Sequence, residues 1–189
     1  MLETARGGFL WDCLSLIDDQ TVEQVNRLGG LKAIAISHPH YYTSMVEWSR
    51  AFGGIPIYLH EDDREWVQFH DPAIKFWSGE THSIAEDLTL IRLGTHFKGF
   101  QALHWAFGDG VLMSGDMPQV CPDRRYLSFM YSYPNFVPLS AAVIRGIVQT
   151  LEGFGFDRIY GAVPGWIVPC GAKDIVKRSA ERYTSAISA

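Results

Sequence analysis

The sequence predicts an α/β protein in which sheets and helices form a layered sandwich. Up to residue 60, short apolar runs alternate with helical patterns, the βαβ order that is typical of parallel strands. Beyond residue 70, strand-like runs follow one another, and Asp109-Gly110 between two of them is a strong hairpin signal. We therefore expect parallel strands first and antiparallel strands afterwards, within a single domain covering 1–189.

Composition excludes several classes of partner. The chain has 189 residues, of which 47% are hydrophobic and 20% charged, as in ordinary globular domains. A net charge of −5 and the lack of any basic run beyond Arg124-Arg125 argue against a nucleic-acid partner. The absence of a long apolar stretch, a signal-like N-terminus or a paired cysteine motif predicts a cytoplasmic protein without membrane contact or disulfides.

The first part of the chain is expected to hold three strands and two helices. We expect strands at 8–17, 31–36 and 55–59, helices at 21–28 and 44–52, and a helical turn at 62–68. Asp19 or Thr21 is the expected cap of the first helix. Ser44, with Glu47 three residues later, predicts a capping box for the second helix. Asp12 stands out because it interrupts an apolar strand, where a buried carboxylate needs a hydrogen-bonding partner.

The second part is expected to hold more strands and two further helices. We expect strands at 73–77, 81–84, 87–93, 101–107, 111–113 and 157–160, and helices at 140–153 and 172–186. Two long loops separate these elements. The loop 117–138 is rich in proline and aromatic residues, and the loop 161–171 is rich in glycine and proline.

The chain is organised around two histidines that directly follow an apolar strand. The run Ala33 to Ile36 ends at Ser37, and His38 and His40 come next, separated by one proline. Pro39 fixes its own φ and biases His38 toward an extended backbone. Because rigid, neutral imidazoles lower the entropy cost of binding a cation, this loop is a candidate metal site. The alternative is a surface turn with two ordinary histidines.

Two further metal-ligand candidates occupy the same local context. His96 follows the strand that ends near Leu93, and Asp116 follows the strand that ends near Met113. Ligand sites in open α/β sheets form where strands give way to loops. Three imidazoles and one carboxylate form a suitable zinc-binding set.

This ordered pattern resembles the metallo-β-lactamase-fold superfamily, whose motif is His-x-His-x-Asp-His followed by a third histidine, a bridging aspartate and a last histidine. His38 and His40 match the first two histidines, His96 matches the third, and Asp116 matches the bridging aspartate. The resemblance implies an αββα-type sandwich with a shortened N-terminus. It also implies a metal-dependent hydrolase for a small ester, lactone, amide or thioester, with Asp12 supporting the metal loop.

The chain departs from that motif where a second metal would bind. Tyr42-Thr43 stand where the family has Asp-His, and residues 161–165 stand where it has its last histidine. A phenol and a hydroxyl are poor substitutes for a carboxylate and an imidazole. We therefore expect one metal ion, with zinc as the first choice and iron or manganese as alternatives. Asp116 is then the expected catalytic residue, either as a fourth ligand or as the group that orients and deprotonates water.

The departures leave alternatives open. The chain could be a catalytically degenerate binding module on the same fold, or a mononuclear iron oxygenase. The short N-terminal region would leave a sheet edge or an apolar face uncovered, which favours a homodimer.

Several other residues are expected near the site. Tyr42 and His60 are candidates for supporting the ligands, and His60 is also a weaker candidate ligand. The aromatic loop that follows Asp116 is expected to form the wall of a substrate pocket, with Arg124 or Arg125 meeting an anionic group. The alternative is that its aromatic rings pack on the protein itself or on a partner subunit. The candidate pocket residues are Arg124, Arg125, Tyr126, Phe129 and Tyr131.

Overall fold

Parallel strands joined by helices build the first of two units, residues 1–79, in the computed structural model, which describes residues 1–188. Its elements are β1 (Leu2–Thr4), β2 (Gly7–Trp11), α1 (Asp19–Arg27), β3 (Leu31–Ala35), a 3₁₀ turn (Pro39–Tyr41), α2 (Met45–Ala51), β4 (Ile57–His60), a second 3₁₀ helix (Glu61–Trp66) and β5 (Ile74–Trp77). The sheet order is β1-β2-β3-β4-β5, antiparallel between β1 and β2 and parallel elsewhere. The predicted run of parallel strands is therefore confirmed.

The core of this unit consists of apolar side chains on the two central strands. Ile34 and Ile57 are paired in register, and both are fully buried. Alternate residues that would face solvent in a half-exposed sheet are also apolar here, as expected for parallel strands covered on both faces. The strand ends that carry the histidine loop are thus fixed by a buried sheet.

Antiparallel pairing dominates the second unit, which begins at Glu80. Its elements are β6 (Thr81–Ala85), β7 (Leu88–Arg92), β8 (Gln101–Trp105), β9 (Val111–Gly115), β10 (Gln119–Val120), β11 (Leu127–Ser128), β12 (Met130–Ser132), β13 (Val137–Pro138), α3 (Ala141–Glu152), β14 (Arg158–Gly161), β15 (Ile167–Val168) and α4 (Ala172–Ile187). Six strands form a sheet in the order β15-β14-β9-β8-β7-β6, in which only the β9–β14 pair is parallel. The predicted hairpin at Asp109-Gly110 is confirmed, since β8 and β9 pair antiparallel across it.

Three local predictions for the first unit were wrong. The first strand ends at Trp11 rather than Ile17, because Asp12 adopts a left-handed φ of 55° that ends the extended backbone. The first helix begins at Asp19 and is capped by Asp18, whose carboxylate accepts a hydrogen bond from the Thr21 backbone. Ser44 forms no capping box, because its hydroxyl donates instead to the Leu14 carbonyl at 2.5 Å.

The long loop predicted at 117–138 contains regular structure. Two small hairpins, β10–β11 and β12–β13, occupy most of it. Phe129, between β11 and β12, is fully buried in the core of the second unit. The single domain at 1–189 stays a prediction, and its last residue, Ala189, lies outside the described part of the chain. No helix within residues 1–188 combines the length and apolar character needed to cross a membrane.

We expect Gly110 to be the least replaceable glycine of the β8–β9 hairpin. Its φ is 82°, and a Cβ built there would lie 2.0 Å from the Gly155 carbonyl oxygen. Gly110→Ala should therefore lower the free energy of unfolding by about 3 kcal/mol or more. Gly108→Ala is the matched control, because its φ of 59° is also left-handed but nothing lies within 4 Å of its Cβ position. That change should cost about 1 kcal/mol in urea unfolding. Equal losses for the two variants would contradict the close approach at Gly110.

Cys13 and Cys170 should differ sharply in reactivity. Cys13 is buried, and burial is the main cause that raises the pKa of its thiol, with the Asp12 and Glu47 carboxylates adding to the effect. Because the thiolate is the reactive form, Cys13 should react with a disulfide reagent at pH 8 only after unfolding. Cys170 is exposed and should react with the same reagent in the folded protein, as soon as the two are mixed. Cys170→Ser should remove this fast phase, whereas rapid labelling of Cys13 in the folded protein would show that its site is more open than described.

Candidate metal centre

The first half of the candidate centre is the loop after β3, where His38 and His40 meet. The Nε2 of His38 lies 3.0 Å from the Nδ1 of His40, and the two ring planes are inclined at 67° to each other. His38 is fully buried, whereas His40 lies at the surface. Partial burial lowers the pKa of His40, which favours the neutral imidazole that a metal needs.

His38 is held by a chain of hydrogen bonds that begins at Asp12. The Asp12 carboxylate accepts from the Ser37 backbone N–H at 2.6 Å and from the Ser37 hydroxyl at 3.1 Å. The Ser37 hydroxyl oxygen lies 2.8 Å from Nδ1 of His38. Because an ionised carboxylate is a stronger acceptor than an imidazole, the Ser37 hydroxyl donates to Asp12, and Nδ1 of His38 then donates to the hydroxyl oxygen. This tautomer leaves the lone pair of Nε2 for a ligand.

Sheet pairing places Asp12 within reach of Ser37. Trp11 pairs with Ala35 in the parallel β2–β3 ladder, and the Asp12 backbone N–H continues it by donating to the Ala35 carbonyl at 3.0 Å. The left-handed backbone of Asp12 then ends the strand. Aspartate is one of the few residues with a side chain that tolerates this conformation. Asp12 is therefore suited to the position by both its backbone preference and its carboxylate.

The second half of the candidate centre consists of His96 and Asp116, which follow β7 and β9. The Nε2 of His96 lies 3.7 Å from the Oδ1 of Asp116, and both side chains are largely buried. The Thr95 hydroxyl lies 3.3 Å from Nδ1 of His96. In both His38 and His96, therefore, the hydroxyl of the preceding residue contacts the Nδ1 atom of the ring. The Tyr133 hydroxyl donates to the backbone carbonyl of Asp116 at 3.1 Å.

Burial determines the charge behaviour of Asp116. Removal from water is the main cause that raises the pKa of its carboxyl to about 6, and a backbone hydrogen bond opposes the rise. A nearby cation would favour the ionised form and reverse this shift. The carboxyl thus sits in surroundings that are unfavourable for a lone charge and favourable for a charge shared with a metal.

The donor set fits a divalent metal. One ligand atom from each of His38, His40, His96 and Asp116 lies within 4.8 Å of the others. Four bonds of zinc-like length around a tetrahedral centre would separate neighbouring donors by about 3.3 Å. The separations of 3.0 Å between His38 and His40 and 3.7 Å between His96 and Asp116 bracket that value. Within each pair, the donors are therefore spaced as two ligands of one ion would be.

Comparisons with known proteins agree with this geometry. No protein-family model matches the chain. The chain is 48% identical over 182 residues to the uncharacterized protein YmaE of Bacillus subtilis, a match that covers 95% of this chain. It spans 66% of the length of that relative.

Solved structures resemble the whole chain. TTHA1623, solved in a di-iron-bound form, has a TM-score of 0.65 and 17% identity, covering 94% of this chain and 90% of that one. A B3 metallo-β-lactamase with an active-site glutamic acid has a TM-score of 0.61 and 16% identity, covering 94% and 78%. This chain has the metallo-β-lactamase fold. A quorum-quenching N-acyl homoserine lactone lactonase also matches, at a TM-score of 0.54 and 18% identity over 80% of this chain and 71% of that one.

Both the resemblance and the fold class predicted from the sequence are thereby confirmed. In this metallo-β-lactamase-fold chain the four ligand candidates come together as one group. Ser37, Thr95 and Tyr133 were missed as supporting residues. Ser37 and Thr95 could have been found, because each directly precedes a candidate histidine.

The residues that the family resemblance places at a second metal position offer poor ligands. Tyr42 is buried in the core of the first unit, and burial is the main cause that raises the pKa of its phenol, followed by the Asp63 and Asp12 carboxylates. A phenol held neutral does not replace a carboxylate ligand. Gly161 has no side chain, and a Cβ there would lie 3.3 Å from the Trp166 carbonyl oxygen.

Two predicted site residues have other roles. His60 was expected to support or join the ligands, but Nε2 hydrogen-bonds the Gly79 carbonyl at 3.0 Å and Nδ1 accepts from the Asp62 backbone. Its ring also packs edge-on against Trp77. Phe129 was expected to line a substrate pocket, but it has no exposed surface, because its ring belongs to the core and contacts Tyr183.

The remaining pocket candidates lie at the surface of the second unit. Tyr126 lies beneath the guanidinium groups of Arg178 and Arg182, at 5.3 and 4.1 Å from its ring centroid. The backbone carbonyl of Arg125 accepts a hydrogen bond from Arg178. Arg124 has an exposed side chain on a left-handed backbone, and Tyr131 is 56% exposed. Tyr126 and Phe129 thus pack against other residues of the same chain, as the alternative interpretation of this loop expected. A substrate contact by Arg124, Arg125 or Tyr131 stays a prediction.

We expect Asp12 to control the orientation of the His38 ring. Asp12→Ala removes both acceptors of Ser37, so the Ser37 amide proton signal should move upfield even in metal-free protein, and metal affinity should fall by about 10- to 100-fold. Asp12→Asn tolerates the left-handed backbone and keeps one acceptor oxygen, so its effects should be smaller. NMR and competition with a chromogenic chelator measure the two effects.

The control for this experiment is Asp18→Ala, another carboxylate of the same unit. It removes the cap of α1 and should lower stability by about 1 kcal/mol without changing metal affinity. An Asp12→Ala protein with unchanged metal affinity would show that Asp12 does not position His38.

Proposed function

We propose that this chain is a metal-dependent hydrolase with one metal ion, acting on a small ester, lactone, amide or thioester. The observation that supports it most directly is the donor group of His38, His40, His96 and Asp116, whose ligand atoms lie within 4.8 Å of one another. The names of two solved proteins with this fold, a metallo-β-lactamase and a lactone lactonase, support a carbonyl substrate.

Each residue of the group has a defined task in the proposal. His38, His40 and His96 supply neutral nitrogens, and the hydroxyls of Ser37 and Thr95 keep two of these rings in place. When bound, a divalent metal supplies Lewis-acid polarisation of a carbonyl and makes water more acidic. Asp116 accepts the proton of the attacking water and returns it to the leaving oxygen, nitrogen or sulfur, so the carbonyl carbon gains one oxygen and loses the leaving group. The Tyr133 hydroxyl fixes the backbone of Asp116 for this transfer.

A single ion is proposed because the second position lacks donors. Tyr42 is a buried phenol, Thr43 offers only a hydroxyl, and residues 161–165 contain no histidine, cysteine or acidic residue. Zinc is the first choice for three imidazoles and a carboxylate, with iron or manganese as alternatives. Because TTHA1623 has been solved in a di-iron-bound form, iron is one of the alternatives, and oxygen chemistry is the function that would accompany it. A homodimer and a cytoplasmic location stay predictions.

The lost second position also favours one other function. A chain that keeps the fold and one weak metal site could serve as a binding module without turnover. The two functions differ in one measurable property, since only the hydrolase turns over a carbonyl substrate in proportion to bound metal.

The double variant His38→Ala/His40→Ala tests the proposal. Wild-type protein should hold one ion per chain by elemental analysis and should hydrolyse at least one member of a panel of chromogenic esters, lactones and thioesters. The double variant should lose the ion and fall to background turnover, because two of four donors are gone. His70→Ala is the control, since His70 is exposed and lies outside the donor group.

Three outcomes would count against this proposal. Turnover that survives the double change would exclude the metal group as its source. Two tightly bound ions per chain would contradict the single site. A bound ion with no turnover across the panel, before and after reloading with zinc, iron or manganese, would favour the binding module.

A further inference from the structure

A cavity in the first unit lies beside the loop that carries the two histidines. Its volume is about 370 Å³, and its walls come from that loop, from α2 and from the segment 66–69. We call it the α2 cavity, lined among others by Tyr42, Glu47, Arg50, Trp66 and Phe69. Small-molecule sites commonly have volumes of about 300–1,000 Å³, so this cavity is large enough for a small ligand. None of the four candidate metal ligands lines it.

Two large aromatic side chains at this cavity remain unusually open to solvent. Trp66 is 50% exposed and Phe69 is 57% exposed, although most large apolar side chains of this unit are buried. Aromatic faces attract positive charge because the ring quadrupole is negative above the plane. The Phe69 ring already has one cation near it, since the guanidinium carbon of Arg50 lies 5.7 Å from its centroid.

The charges around the cavity favour a cationic ligand over an anionic one. Arg50 is held by Asp71 at 2.9 Å, and the other oxygen of Asp71 accepts from the Ala73 backbone, so the positive charge of Arg50 is already matched. Glu47 is exposed at the cavity, and no cation within residues 1–188 pairs with its carboxylate. An anion would meet the Glu47 charge and a guanidinium that Asp71 already neutralises, whereas a cation would meet that carboxylate and two partly exposed aromatic side chains.

We infer that the α2 cavity binds a small organic cation, such as a primary or quaternary ammonium group. Glu47 supplies the opposite charge, and the solvent-exposed parts of the Trp66 and Phe69 side chains supply apolar contact and aromatic attraction for the cation. None of the four candidate metal ligands belongs to this site, and the inference goes beyond the proposed hydrolase. The contrasting interpretation is an ordinary solvated surface, in which Glu47 only favours the first turn of α2.

Three probes of nearly the same shape separate these interpretations. Choline carries the positive charge, 3,3-dimethylbutan-1-ol is its neutral analogue, and 3,3-dimethylbutanoate is an anionic analogue. NMR titration of the full chain should show choline shifting the Trp66 indole N–H signal with a Kd of about 1–10 mM. The neutral alcohol should bind at least about 5-fold more weakly, and the anion should cause no specific shift. Titrations with and without a chelator should agree, because the cavity contains no metal ligand.

Variants then assign the binding to named residues. Glu47→Gln should raise the Kd for choline about 5-fold and remove most of its advantage over the neutral alcohol. Phe69→Ala should weaken choline binding, with the Trp66 signal still available as the reporter. Glu65→Gln is the matched control, because Glu65 is exposed on the neighbouring 3₁₀ helix but does not line the cavity, and it should leave the Kd unchanged.

The inference is overturned by any of three results. Choline and the neutral alcohol could bind equally well, choline could cause no shift at a tenfold excess over the expected Kd, or Glu47→Gln and Glu65→Gln could have the same effect. Because these measurements also run on metal-free protein, their failure is separable from failure of the proposed hydrolase.

Discussion

The hydrogen bonds from Ser37 to Asp12 are the interaction on which the candidate centre most depends. They join the ends of two neighbouring parallel strands. Through Ser37 they also hold Nδ1 of His38, the ring nitrogen that is not offered to a metal. A charge-assisted bond of 2.6 Å is among the stronger interactions available to a carboxylate. The backbone of Asp12 is left-handed and ends β2. One residue therefore sets both where β2 ends and how the histidine loop is held.

A comparable arrangement supports the other pair of donors. The Thr95 hydroxyl contacts Nδ1 of His96, and the Ser37 hydroxyl contacts Nδ1 of His38. In both cases the hydroxyl belongs to the residue before the histidine. Asp116 is held through its backbone by Tyr133, which comes from the hairpin segment seventeen residues later. Three of the four donors, His38, His96 and Asp116, are thus contacted by a neighbour that is not itself a candidate ligand. Such outer partners commonly change metal affinity by about 10- to 100-fold, so they belong to the site as much as the ligands do.

Much of the fold could be predicted because its signals are local. Alternating apolar runs and helical patterns identified the parallel strands of the first unit, and Asp109-Gly110 identified the β8–β9 hairpin. Predictions failed where a side chain is engaged by a distant part of the chain. The Ser44 hydroxyl caps no helix because it bonds Leu14, thirty residues earlier in sequence. The aromatic loop was expected to face a substrate, yet Phe129 fills the core, since ring hydrophobicity alone does not say which surface a ring will cover.

By itself, the sequence determined which residues could be metal donors and that each one follows a strand, because donor chemistry and strand periodicity are properties of short segments. It also determined that Tyr42 and Thr43 are poor ligands, since this follows from their side chains alone. The tertiary structure alone decided that Ser37 reaches Asp12 across the sheet and that both nitrogens of His60 are engaged by nearby backbone groups. Those outcomes depend on strand register and on contacts between residues as many as 25 positions apart, and no local pattern in the chain specifies them.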